Sequence, residues 1–289
     1  MVSILRLRSR YQAGDLKGSE LMSSNLPLQA AKLEYFWIDS ICIDQSSSVE
    51  RNHQVALMGQ IFSKAALLIS WLGSSNSKTH DIVREICSYR AHPVAIGFGQ
   101  MKVSETLKGA LDFFGSIDYW SRLWIVQEIV LAKEILVLWG DSFLPWYKVT
   151  NVGFARMGRR WSGISTLAHM QHDVNEFDEN WVKVIHEKER YRLYQEEPEK
   201  FGWHHSKMTP RSLYTLVLQF EYHHCLVPRD RVIGLLGLSY DDASELIDYD
   251  CSTEEYFEKV CQFVFNSARL RGESMKSSFR TALRRALRE

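Results

Sequence analysis

Tyr35-Phe36-Trp37-Ile38-Asp39-Ser40-Ile41-Cys42-Ile43-Asp44-Gln45, followed by Ala66-Leu67-Leu68-Ile69-Ser70-Trp71-Leu72-Gly73, decides the fold class. The continuous apolar run at 35–38 reads as a strand buried on both faces, and Ile41-Cys42-Ile43 reads as its extension. Polar residues 44–48 then form a loop. Residues 50–65 place Val55, Met58, Ile61, Phe62 and Ala65 on one face at three- and four-residue steps, the pattern of an amphipathic helix. Residues 66–72 form a second apolar strand, stopped by Gly73. A strand, a helix and another buried strand in this order predict a βαβ unit with parallel pairing.

The pattern continues downstream. A helix is predicted over 79–90 with Ile82, Val83 and Ile86 inward. Ser104 caps another that carries Leu107, Leu111 and Phe114. Residues 121–133 form a strongly apolar helix, and Ile135 to Trp139 form a third strand ended by Gly140. Upstream, residues 1–27 are poorly patterned and 28–34 suit a short helix. The chain therefore divides into that N-terminal segment, an α/β core at 28–149, a charged variable insert or linker at 150–210, a C-terminal part at 211–268 and a basic helical tail at 269–289. Ser252 and Glu255 have capping-box spacing for a helix reaching about residue 269.

The composition bounds the function. The 289 residues carry 35 Lys+Arg against 35 Asp+Glu, which argues against a dedicated nucleic-acid binder. The balance is uneven: residues 241–258 hold eight acidic side chains and no basic one, while 269–289 hold seven basic and two acidic. No apolar run is long enough to span a bilayer, the richest being 123–139, and no secretory signal opens the chain. Cys42, Cys87, Cys225, Cys251 and Cys261 lack CxxC spacing, so reduced thiols in a cytoplasmic protein are expected, not disulfides or a thiolate zinc site.

Common catalytic signatures are absent: there is no G-x-S-x-G elbow, Walker loop or H-E-x-x-H. Gly97-Phe98-Gly99 is too short for a dinucleotide fingerprint. His169 and His172, and the pairs His204-His205 and His223-His224, have no acidic or thiol partner at a ligand-like offset, so no metal is expected. Three blocks stand out instead. The first is Trp37 to Gln45 with Glu50-Arg51, Gln54-Val55 and Met58, closing on Trp71-Leu72-Gly73. The second is Arg122-Leu123-Trp124-Ile125-Val126-Gln127-Glu128, leading to Trp139-Gly140. The third is Pro228-Arg229-Asp230-Arg231-Val232 with Leu235-Leu236-Gly237-Leu238 and Asp248-Tyr249.

Together, in order and spacing, these blocks resemble the fungal heterokaryon incompatibility (HET) domain over roughly residues 28–265. Such domains open with a Tyr-x-x-Leu-Ser-Tyr-x-Trp-Gly block, and nothing in residues 1–34 matches it. The resemblance therefore implies a TIR- or flavodoxin-like parallel sheet flanked by helices and lacking its first strand, with a mostly helical C-terminal part. It further implies a cytoplasmic signalling or effector module in non-self recognition, innate immunity and programmed cell death. The expected partners are a second copy or another incompatibility protein. No specific nucleic acid or transmembrane segment is expected, and the basic tail reads as a solvated helix end more than as a membrane contact.

Some TIR domains cleave NAD with a Glu placed four residues after a Trp, and Trp124 and Glu128 have that spacing, stacking on one helical face. This makes NAD a candidate substrate, not a cofactor. Glu128 is then the catalytic candidate, where a carboxylate opposes the positive charge of a ribosyl centre. Asp39, Asp44, Gln45, Arg51, Arg122 and Trp124 are the supporting or ligand-binding candidates. Asp39 stands at a strand end, where ligands bind in parallel sheets. Trp37, Trp71, Gly73, Arg229 and Asp230 are assigned to the structural motif, the last two holding a turn through a local ion pair and capping. Against catalysis stand the readings in which Glu128 pairs with Arg122, the chain is an interaction module, or it is an inactive or truncated remnant.

Overall fold

The structure is a computed structural model that describes residues 2–7, 33–90, 103–156, 179–196, 212–267 and 272–287. Its sheet has five strands, β1 (Val2–Leu7), β2 (Leu33–Ile38), β3 (Leu67–Trp71), β4 (Ile135–Trp139) and β5 (Ser142–Pro145), in the order β2-β1-β3-β4-β5. The α/β class and the helical C-terminal part are as expected from the sequence. The sheet, however, is mixed. β1 lies between β2 and β3 and runs antiparallel to both, with Leu5 opposite Phe36 on one side and Leu67 on the other. Among the described strands only β3 and β4 pair in parallel, Ile69 opposite Leu136.

The βαβ unit thus exists with a third strand inserted between its two strands. An apolar run reports burial on both faces but not the identity or direction of its neighbours. That is why the adjacent parallel pairing expected for β2 and β3 differs from the observed one. It is also why a strand at Val2–Leu7 was not read from a weakly patterned segment. β4 and β5 form a hairpin around Gly140 and Asp141. Gly140 has φ +60, and a Cβ there would fall 2.4 Å from that of Ser75, so both conformation and space demand glycine.

Two further differences are local. Asp39–Cys42 is a short helical turn, α1, and not an extension of β2. Leu33 and Glu34, read as the end of a helix, belong to β2; the remainder of that expected helix, like Gly97 to Gly99, His169, His172, His204 and His205, lies outside the described residues. The helices α2 (Ser48–Lys64), α3 (Thr79–Ser88) and α4 (Glu105–Gly115) match their sequence patterns closely. Ser47 caps α2 by accepting from the Glu50 backbone N–H at 3.2 Å, and the Glu50 carboxylate accepts from the Asp44 N–H at 3.1 Å. Ser104 caps α4 by accepting from the Leu107 N–H at 3.1 Å.

The apolar helix predicted over 121–133 is the shorter α5 (Trp124–Leu131), preceded by a 3-10 turn (Asp118–Ser121). Ile125 to Leu131 are all buried, because α5 packs between α2 and a later helix, α7 (Asn180–Glu196), which follows α6 (Trp146–Arg156). α7 lies inside the stretch read as a charged insert, yet Trp181, Val184 and Ile185 are buried, and the Trp181 ring meets Phe114 edge-on at 5.6 Å. Charged residues alternate with these anchors and hide the helical face. Lys188 is itself buried, donating to the carbonyls of Val130 (3.2 Å) and Ala132 at the end of α5.

The C-terminal part contains α8 (Leu213–Gln219), α9 (Asp230–Ile233), α10 (Thr253–Ser267) and α11 (Glu273–Ala286). The expected capping box opens α10. The Ser252 N–H donates to Glu255 Oε2 at 2.8 Å, and the Glu255 N–H donates to Ser252 Oγ at 3.2 Å. The basic α11 is docked through one face: Phe279 and Leu283 are buried, and Phe279 stacks with Tyr214 at 5.4 Å. Arg280 donates to both carboxylate oxygens of Glu258 at 3.0 and 3.2 Å, so part of the tail's charge meets the acidic stretch within the molecule. Among the described residues no helix is long and apolar enough to cross a membrane. All five cysteines are free thiols.

Candidate functional site

α5 carries the decisive carboxyl group. Glu128 is 2% exposed, and among the described residues its Oε2 has no hydrogen-bond partner. Burial is the chief cause that pushes its pKa up to about 8; the nearby Asp39 charge raises it further, while Arg122 works against both. Arg122 is thus a neighbouring charge, without a direct ion pair to Glu128 among the described residues. The Tyr119 hydroxyl and the Ser70 Oγ are also buried. Burial, then the Glu128 charge, raises the proton affinity of Tyr119, while Ser70, the polar group close to the same hydroxyl, opposes the rise. A carboxyl and two hydroxyls therefore share a buried neighbourhood, and among the described residues the carboxyl has hydrogen-bonding capacity unused, an arrangement proteins seldom leave without a role.

A second cluster forms at the first turn of α5. The Trp124 indole N–H donates to Asp230 Oδ2 at 3.0 Å, and the Tyr249 hydroxyl donates to Asp230 Oδ1 at 2.5 Å. The Arg51 guanidinium lies 4.2 Å from the centre of the Tyr249 ring. Burial raises the Asp230 pKa, while the hydrogen bonds from Tyr249 and Trp124 and the charge of Arg51 oppose that rise. The structure thus joins one residue of the first block, one of the second and two of the third.

Residues 22–128 match the family model described as Heterokaryon incompatibility protein (HET). This stretch of the chain is similar to the HET family and is termed the HET segment. The match ends at Glu128 and takes in Asp39, Asp44, Gln45, Arg51, Arg122 and Trp124. No curated protein and no solved structure matches the chain. The third block lies beyond the HET match, and its contact with the segment is supplied by the fold.

The remaining candidates of the HET segment have separate places. Asp44 accepts from the Ser46 N–H at 2.9 Å and from its hydroxyl at 2.6 Å, and these bonds hold the exposed carboxylate below its ordinary pKa. Gln45 donates to the Asp39 carbonyl at 3.5 Å. Both shape the loop that leads into α2. Trp37 packs edge-on against Phe62 at 5.9 Å. Trp71 is 42% exposed at the end of β3, and Gly73 follows at φ +108.

Arg229 and Asp230 do not pair locally as expected. Arg229 donates to the carbonyls of Asp248 (3.1 Å) and Cys251 and lies over the Tyr256 ring, while Asp230 turns toward the HET segment. Both reach partners distant in sequence, so adjacency alone misled. Gly237 explains the Leu-Leu-Gly-Leu run: a Cβ there would lie 2.0 Å from the buried Gln127 amide and 3.3 Å from the Gly59 Cα.

The sequence reading missed Tyr119 and Ser70 as parts of this neighbourhood, and Lys188 as the group that closes the end of α5. Ser70 had a signal, a lone hydroxyl inside an apolar strand. Tyr119 and Lys188 had none, because nothing local distinguishes them from ordinary aromatic and charged residues.

Proposed function

We propose that this chain is an effector in heterokaryon incompatibility and programmed cell death, acting in the cytoplasm by cleaving NAD at the nicotinamide–ribose bond with Glu128 central. The observation that carries the reading is the buried Glu128 carboxyl, one of whose oxygens has no hydrogen-bond partner among the described residues, near the buried hydroxyls of Tyr119 and Ser70. In the reaction the C1′–N bond breaks and its electron pair passes to the pyridinium nitrogen, releasing neutral nicotinamide. The positive charge left on the ribosyl centre is opposed by the Glu128 carboxylate. A water oxygen then bonds to C1′, and the carboxylate takes the proton that water gives up. Asp39 and Arg122 set the charge around this carboxyl, whereas Asp44 and Gln45 support the loop beside it.

Glu128 is largely protonated at pH 7, since its pKa is pushed up to about 8. Only the ionised form opposes a cationic centre, so cleavage rises with pH and levels off above about 8. The test is nicotinamide release from NAD by purified protein between pH 6 and 9, in wild type and Glu128→Gln. Release that climbs across this range and falls at least about a hundredfold in the variant is expected, on the scale of a removed electrostatic stabiliser. Absence of release at high protein concentration sinks the enzymatic reading. The competing reading, a module that signals by self-association without chemistry, is favoured by the near-complete burial of Glu128. It predicts concentration-dependent light scattering and toxicity that survive Glu128→Gln.

A further inference from the structure

We infer that Asp230 is a positioning residue for Glu128, acting through the Trp124 indole. The inference rests on the reading above only where catalysis is concerned; its geometric part stands apart from it. Both oxygens of the Asp230 carboxylate are engaged, one by Trp124 at 3.0 Å and one by Tyr249 at 2.5 Å. The donors lie 106 and 19 residues away along the chain, so these bonds fix tertiary arrangement and not a local turn.

Trp124 opens α5 one turn before Glu128, on the same side of the helix. The approach is also fixed from the backbone. The Leu123 N–H donates to the His224 carbonyl at 2.8 Å, and the His224 N–H donates to the Ser121 carbonyl at 2.6 Å. Gly234 lies flush against the same turn, where a Cβ would meet Leu123 at 3.3 Å and Trp124 at 3.5 Å. The start of α5 is therefore held by residues 224–234 through a backbone bridge and a side-chain clamp. Of the two, the clamp alone has a directional bond to the helix's own side chain.

Burying a carboxylate is costly, and a hydrophobic residue of similar size would fill the space at lower cost. What the carboxylate adds is direction: it accepts one bond from each side and sets the indole plane, with Arg51 over Tyr249 closing the far side. Displacing Trp124 rotates or shifts the turn that places Glu128 beside Tyr119 and Ser70.

The test uses the full chain with carbon-13 carboxyl labelling of glutamate. The Glu128 carboxyl resonance is assigned by its loss in Glu128→Gln, and the Trp124 indole N–H signal by its loss in Trp124→Phe. Asp230→Leu, which keeps the volume and removes the acceptors, is expected to shift both signals. Tyr249→Phe, which deletes one donor and leaves the packing, is expected to shift the Glu128 signal in the same direction by less. Asp230→Asn, which retains an acceptor for the indole, is expected to restore both to near wild-type positions.

In the NAD assay Asp230→Leu is expected to lower kcat at least about tenfold with little change in KM, because substrate contacts are untouched and the reacting group is misplaced. A Glu128 resonance unmoved in both Asp230→Leu and Tyr249→Phe overturns the inference, and so does wild-type kcat in Asp230→Leu. Loss of NAD cleavage in the wild type would refute the enzymatic reading alone, since the two resonances still report the positioning.

Discussion

Replacing Glu128 by Gln keeps the shape of the side chain and removes its titration. In the folded chain the carboxyl has a pKa of about 8 against an ordinary 4.5. Between those values the folded state holds a proton that the unfolded state has released. Stability drawn from this group is therefore present below pH 4.5 and lost as pH rises, at about 1.4 kcal/mol per unit, until the loss levels off above pH 8. The two states differ over this window by a ceiling of about 4 kcal/mol between pH 5 and pH 9.

Other groups titrate in the same range, so the measurement is a difference. Urea denaturation of wild type and Glu128→Gln at pH 5, 6, 7, 8 and 9 gives two curves of stability against pH. Subtracting them cancels every group that behaves alike in both proteins. The variant is expected to gain on the wild type steadily from pH 5 to 8 and then run parallel to it. The offset at pH 5 is not informative, because amide and protonated acid differ in their own hydrogen bonding. A difference that stays flat from pH 5 to 9 refutes the argument, for it would mean that Glu128 ionises in the folded chain as readily as in the unfolded one.

Two further outcomes follow from groups around α5. His223 is fully buried with neither ring nitrogen hydrogen-bonded among the described residues, and burial, aided by the charges of Lys183, His224 and Arg231, lowers its pKa to about 3. The folded state thus refuses a proton that the unfolded state accepts, and acidification from pH 6.5 to 4 costs about 3 kcal/mol through this residue; His223→Gln is expected to remove that slope in denaturant titrations. Lys188→Met leaves the carbonyls of Val130 and Ala132 without their donor and is expected to destabilise the chain by about 2 kcal/mol at pH 7. Burial lowers the Lys188 pKa to about 8, so the wild type gains stability from pH 8 to 10.5 that the variant lacks, and the deficit should widen there; a deficit independent of pH would count against a buried cationic lysine.

The sequence by itself determined most of the local structure and the likeness of one long segment to the HET family. Capping residues Ser104 and Ser252 mark helix starts because their hydroxyls meet backbone donors a few residues away. Apolar runs such as Ile135–Trp139 mark strands because one face is buried and the other half-buried, which excludes charged side chains from both. The Trp124–Glu128 spacing placed both on one helix face without any knowledge of the fold. Tertiary structure alone decided the order of the sheet, since β1 enters between β2 and β3 through pairings that run between distant backbone groups. It alone decided that α7, dense with charge, is a core helix whose Lys188 closes the end of α5. And it alone decided that Asp230 reaches Trp124 instead of Arg229, because a buried carboxylate takes the donors that packing brings to it, and packing is set by residues more than a hundred positions away.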